Sequence, residues 1–255
     1  MSRSRLQPIA LVALVAVAVG GYLAYDNVLR GDDVAPLALP SISAAPASAM
    51  PAASTDPAAS ASATTASTAP AGEGDVAGTW TVVEGTEAGY RVREQLANLP
   101  AESDAVGRTS DVRGSITVIE AGDGAQLTDG TIAVDTTTIT SDESRRDSRM
   151  RTEGLQTDQF PTATFTITSP VDVPAAALAG EAADVTLVGD LTLHGVTREV
   201  EIPSQARLVD GQIQVAGSLT FALGDFEIVA PNVGGFIVSI ADQGALEFSI
   251  IFAKG

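Results

Sequence analysis

The stretch that most limits how this chain can fold runs from residue 184 to 202, D-V-T-L-V-G-D-L-T-L-H-G-V-T-R-E-V-E-I. Val185, Leu187, Leu191 and Leu193 share one parity, with Gly189 between them, while Thr186, Asp190, Thr192 and His194 share the other. An apolar residue at every second position puts one face in a core and the other in water, which is the pattern of a half-buried strand. His194-Gly195 interrupts the run, and a second strand begins with Val200 and Ile202 on one face. The stretch predicts two antiparallel strands around a tight turn.

The same alternation recurs along the chain. Ile116 and Val118, Ile132 and Val134, and Phe165 and Ile167 pair by parity. So do Ile213 and Val215 with Leu219, Phe221 and Leu223, and finally Leu246, Phe248, Ile250 and Phe252. Phe226 with Ile228, and Phe236 with Val238 and Ile240, read as further short strands. Asp129-Gly130 and Asp210-Gly211 are turn signals. Residues 93–99 read as a short helix ended by Pro100, and 170–182 as a Pro- and Ala-rich loop. Residues 141–155, S-D-E-S-R-R-D-S-R-M-R-T-E-G-L, read as one short amphipathic helix or ordered loop closed by Gly154. Eight or more short alternating strands with at most one helix predict an all-β antiparallel barrel or sandwich, and the one-sided apolar faces favour a single shared interior.

The globular part occupies residues 77–255. Residues 1–8 carry Arg3 and Arg5, and residues 9–25 are apolar, 17 residues broken only by Gly20 and Gly21. As a helix this spans about 26 Å, enough for a bilayer. Ala18 and Gly20 could serve a signal-peptide cleavage site. The apolar run through Tyr22 and Tyr25 favours an uncleaved anchor, with a cytoplasmic N-terminus and an extracytoplasmic C-terminal domain. Residues 26–76 form a linker rich in Ala, Ser, Thr and Pro, a composition that cannot bury enough apolar surface to order itself.

Composition narrows the function classes. Residues 76–255 hold 26 acids and 11 bases, a balance of −15 within a chain total of −18. Such a surface repels phosphate backbones and argues against a nucleic-acid partner. The chain has no cysteine, which excludes disulfides, thiolate metal sites, a cysteine nucleophile and a lipoprotein anchor. His194 is the one histidine. Asp190, four residues back on the same strand face, lies about 13 Å away, so a Ser-His-Asp arrangement through that pair is out of reach. His194 reads as a structural residue facing away from the interior or capping the turn. Asp225 and Glu227 share a parity without a nucleophile beside them. No metal, no cofactor and no enzyme activity is expected.

G-T-W at 78–80, R-D-S-R-M at 146–150, F-P-T-A-T-F at 160–165 and G-D-L-T-L-H-G-V-T-R-E-V at 189–200 occur in that order. Together they resemble the YceI-like family of lipid- or polyisoprenoid-binding proteins. The resemblance implies an eight-stranded, lipocalin-like antiparallel barrel whose long apolar interior holds an isoprenoid or other long-chain lipid. The interior candidates are Phe165, Ile167, Val185, Leu187, Leu191, Leu193, Phe221, Phe236, Phe248 and Phe252, with Arg145 and Arg149 as rim candidates for a polar head group. The alternative is a structural or interaction domain with a filled core and no ligand. With one Trp, seven Phe and many small residues, the interior side chains are small enough to leave space.

Overall fold

The computed structural model describes residues 34–41, 76–96, 102–230 and 237–255. Residues 9–25, the expected anchor, most of the linker and Phe236 lie outside them; among the described residues no helix is long and apolar enough to cross a membrane.

The chain forms eleven strands: β1 (Gly78–Val82), β2 (Glu87–Leu96), β3 (Glu102–Thr109), β4 (Val112–Ala121), β5 (Gly124–Asp135), β6 (Thr162–Ile167), β7 (Val171–Val173), β8 (Ala183–Leu193), β9 (Val196–Val209), β10 (Gln212–Ala222) and β11 (Ile237–Lys254). Of these, β3 and β7 are not among the alternating segments. All pair antiparallel. The order β1-β4-β5-β6-β8-β9-β10-β11, with β1 returning to β11, closes an eight-stranded barrel. Closure removes most free edges; among the described residues the outer edge of β3, which pairs with β2, meets the chain again only at the bridge between Arg108 and Thr140. β2 takes over from β1 along β11, and β3 takes over from β4, so two of the eight staves are each broken once. At the first break Thr86 is buried, and its Oγ1 accepts from the Ile251 N–H at 3.0 Å, standing in for a strand partner.

The turn at His194-Gly195 has φ of 52° and 77°, and that at Asp210-Gly211 has 53° and 73°. Two consecutive left-handed residues match the twist of a two-residue hairpin, as both sequence signals predict. Several local expectations fail. Asp129-Gly130 is no turn but lies inside β5, where the pairing to β4 slips by one residue at Thr128. The reversal comes instead at Gly122-Asp123, with Gly122 at φ 61°. Residues 93–96 are not helical; they continue β2, because pairing to β3 and β11 on both sides outweighs the helix preference of R-E-Q-L. Phe226 sits in a 3-10 turn over Leu223–Phe226, not in a strand.

Helix α1 (Ser144–Thr152) forms where the charged segment predicts it, with the Glu143 side chain accepting from the Arg145 N–H at its start. A second helix, α2 (Ala175–Leu178), is a single turn in the segment read as loop. With β7 it closes one end of the barrel: Ala177 and Val171 pack with Val76, Val118 and Val185. Trp80 lies in this packed end, its Nε1–H donating to the Val76 carbonyl at 2.9 Å. The opposite end, where α1, the β8–β9 turn and the 3-10 turn gather, is the mouth.

A hollow apolar lumen with a charged mouth

Above the packed end the side chains leave a cavity of about 790 Å³ running to the mouth. Its walls come from alternate positions of the strands, so one parity rule supplies both the packed end and the lumen. Two contacts show how the space is kept. The Phe165 ring lies against Gly189, where a Cβ would come within 2.8 Å of it, and the Phe248 ring lies equally close over Gly217. Each ring occupies the space that a side chain on the neighbouring strand would need. Ala88 and Ala105 supply further small positions. Water finds few partners on such a lining, so an apolar chain is the better occupant. A filled core requires the lumen to be absent; it is present.

Eight of the ten expected interior residues line the lumen: Phe165, Ile167, Leu187, Leu191, Leu193, Phe221, Phe248 and Phe252. Val185 points to the same interior but lies in the packed end. Arg145 and Arg149 border the mouth from α1, Arg145 exposed and Arg149 3.5 Å from Glu153.

The polar feature at the mouth is a different arginine. Arg146 turns inward and its Nη2 lies 2.7 Å from Glu94 Oε1, while Nη1 reaches Asp142. Glu94 is only 4% exposed, a carboxylate set at the end of the row Ala88, Tyr90, Val92 on β2. Burial alone would lower the affinity of Arg146 for its proton, but Glu94 and Asp142 together outweigh it and hold the guanidinium above its usual range. Arg146 Nε is buried and has no hydrogen-bond partner in the protein. Burial also pushes the nearby Tyr90 hydroxyl up to about 12, with Arg146 offsetting part of that rise. Glu94 escapes a sequence reading because residues 93–99 resemble a helix there. Its parity with Tyr90 and Val92 was the available signal. Arg146 could have been found from helical spacing, since it shares a face with Met150, which packs on the mouth cluster.

His194 does what the turn reading expects. Its Nδ1–H donates to the Phe226 carbonyl at 3.0 Å, its ring packs edge-on to Phe160 at 4.5 Å, and it ties the β8–β9 turn to the 3-10 turn. Among the described residues no cluster of histidine, aspartate and glutamate could hold a metal ion. Asp225 and Glu227 do not share a strand face: Asp225 lies within the 3-10 turn and Glu227 follows it at φ 56°.

Comparison with known proteins agrees with this architecture. A UPF0312 protein of Shewanella denitrificans is 31% identical over 136 residues, covering 49% of this chain and 65% of that protein, just under two thirds of its length. Among solved structures, a polyisoprenoid binding domain from Saccharophagus degradans, implicated in plant cell wall breakdown, superposes with a TM-score of 0.52 at 19% identity, over 70% of this chain and 99% of that one. BcnA of Burkholderia cenocepacia gives a TM-score of 0.49 at 15% identity, over 65% and 95% of the two chains. The likeness to the Saccharophagus domain speaks to the fold alone. Residues 80–252, nearly the whole barrel, match the YceI-like domain, and the chain therefore belongs to the YceI-like family.

Proposed function

We propose that the barrel binds one amphiphilic lipid, a polyisoprenoid or a chain of similar shape, outside the cytoplasmic membrane, to sequester or carry it. The apolar lumen of about 790 Å³ carries this reading. The tail lies among Leu187, Leu191 and Phe248, and the polar end meets the unpartnered Arg146 Nε and the exposed Arg145 at the mouth. Each buried methylene contributes about 0.8 kcal/mol, so a long chain gains affinity mainly by burial, with few polar contacts needed. The name of the Saccharophagus domain supports a polyisoprenoid over other chains. Residues 9–25 hold the barrel at the membrane from which such a lipid would come.

Native mass spectrometry of delipidated protein after incubation with polyprenyl lipids of several lengths tests this. One retained lipid per chain is expected. No retention at any length would remove the proposal.

A further inference from the structure

Residues 34–41, V-A-P-L-A-L-P-S, belong to the linker by composition, yet they are bound to the outside of the barrel. Arg91 Nη2 donates to the Val34 carbonyl at 2.6 Å, and Arg108 Nη2 to the Ala35 carbonyl at 3.2 Å. The Leu37 N–H donates to Glu247 Oε2 at 3.4 Å, and Arg207 Nη2 donates to the Pro40 carbonyl. Four strands, β2, β3, β11 and β9, thus each contribute one side chain to the backbone of one extended segment. Pro36 and Pro40 limit the freedom it loses on docking.

The receiving surface is built for cover. Arg91 lies 2.7 Å from Glu247 and 2.9 Å from Asp104, and Arg108 lies 2.6 Å from Glu247. By strand parity they belong to the outer face, alternating with Tyr90, Leu246 and Phe248 on β2 and β11 and with Ala105 and Gly107 on β3. Outward residues of a barrel wall normally meet water, as Thr186, Glu199 and Glu201 do here. Glu247, however, is 4% exposed, and outward Val106 and Arg207 are also buried. A carboxylate this enclosed on an outer wall makes sense beneath a bound segment.

The direction of the segment has a consequence. Val34 sits by Arg91, which pairs with Ala245 of β11; Pro40 sits by Arg207, whose partner Gln214 pairs with Ile251. From Ala245 to Ile251 is about 20 Å along the wall, and the Val34 end is the one nearer the mouth.

We propose that residues 34–41 are a docking strap that splits the linker and holds the barrel beside the membrane, mouth towards it. Only residues 26–33 then separate the apolar run from the barrel, at most about 28 Å, whereas all of 26–76 could reach about 180 Å. A lipid would pass between bilayer and lumen without crossing a wide aqueous gap. The orientation rests on the membrane-anchor reading above; the docking does not.

The lack of native cysteine allows clean labelling of the full-length chain. Spin labels at Ala38→Cys and Glu201→Cys should give one narrow distance distribution, in detergent or in vesicles. Replacing 34–41 with a Gly/Ser repeat of equal length, keeping Ala38→Cys in place, should broaden it. A broad distribution in the unaltered strap overturns the docking. In vesicles carrying a headgroup quencher, a fluorophore at Val229→Cys on the rim should be quenched severalfold more than one at Asp123→Cys at the packed end, and the difference should vanish with the Gly/Ser strap. Equal quenching, stronger quenching at Asp123→Cys, or failure of the full chain to bind vesicles overturns the orientation. Lipid retention is measured separately, so a docked strap on a barrel that retains no lipid would count against the binding proposal alone.

Discussion

The two ends of the barrel obey the same alternation and reach opposite results. At the packed end Trp80, Val76, Ile116 and Val118 cluster above α2 and β7, which plug the bottom, and the interior keeps only a small void of about 40 Å³. Towards the mouth the same parity brings Ala88, Ala105, Gly189 and Gly217 to the wall, and the rings of Phe165 and Phe248 sit against the glycines. Eight strands enclose a space that side chains can just fill. Residue size at the inward positions, rather than any change of fold, decides whether an end is core or container. Stability should therefore depend on the packed end and ligand capacity on the hollow one.

The largest separation between the ends should come from truncation. Trp80→Ala removes a buried ring and its hydrogen bond to Val76, and should destabilise by about 4 kcal/mol in chemical denaturation. Phe221→Ala, on the lumen, should cost clearly less because its surroundings are already open. Equal losses would break the comparison.

Filling should have the reverse signature. Ala105→Trp places a large ring in the lumen and should abolish lipid retention in native mass spectrometry while leaving the denaturation midpoint within about 1 kcal/mol of the parent. A filled variant that still retains lipid would place the ligand elsewhere.

The mouth pair is the next test. Glu94→Gln removes the charge facing Arg146 and should cost about 2 kcal/mol. The double change Glu94→Leu with Arg146→Met should recover most of that stability, because neither charge is then left alone. If the double variant is no more stable than Glu94→Gln, the pair is not what holds the mouth.

The smallest effect concerns pH on the outer wall. Burial pushes the Glu247 carboxyl up, but Arg91 and Arg108 outweigh burial and hold it below the usual glutamate range. A carboxylate with a depressed folded pKa adds stability above its unfolded value, about 4.5, and loses it as pH falls through the lower folded value. Melting temperature should drop on acidification below pH 4.5, and Glu247→Gln should flatten part of that drop. An unchanged slope would contradict the assignment.

Much of the barrel was legible because alternation over five or more residues has one physical meaning, and because His194-Gly195 and Asp210-Gly211 sit between such runs. The misreadings share a cause. D-G at 129–130 and R-E-Q-L at 93–96 have local preferences that strand pairing on both sides overrides. That override also hid Glu94, and with it the charge pair at the mouth. The strap was invisible for another reason: its partners grip backbone carbonyls of Val34, Ala35 and Pro40, which carry no side-chain signal.

The central claim is that the lipid tail occupies the lumen. A polyprenyl lipid with a photoactivatable diazirine at the tail end, bound to the delipidated full chain and irradiated, tests it most directly. Peptide mapping should place the crosslinks on deep lumen residues such as Leu187, Ile202 and Val215. Crosslinks confined to the outer wall, or spread evenly over the surface, would contradict the account.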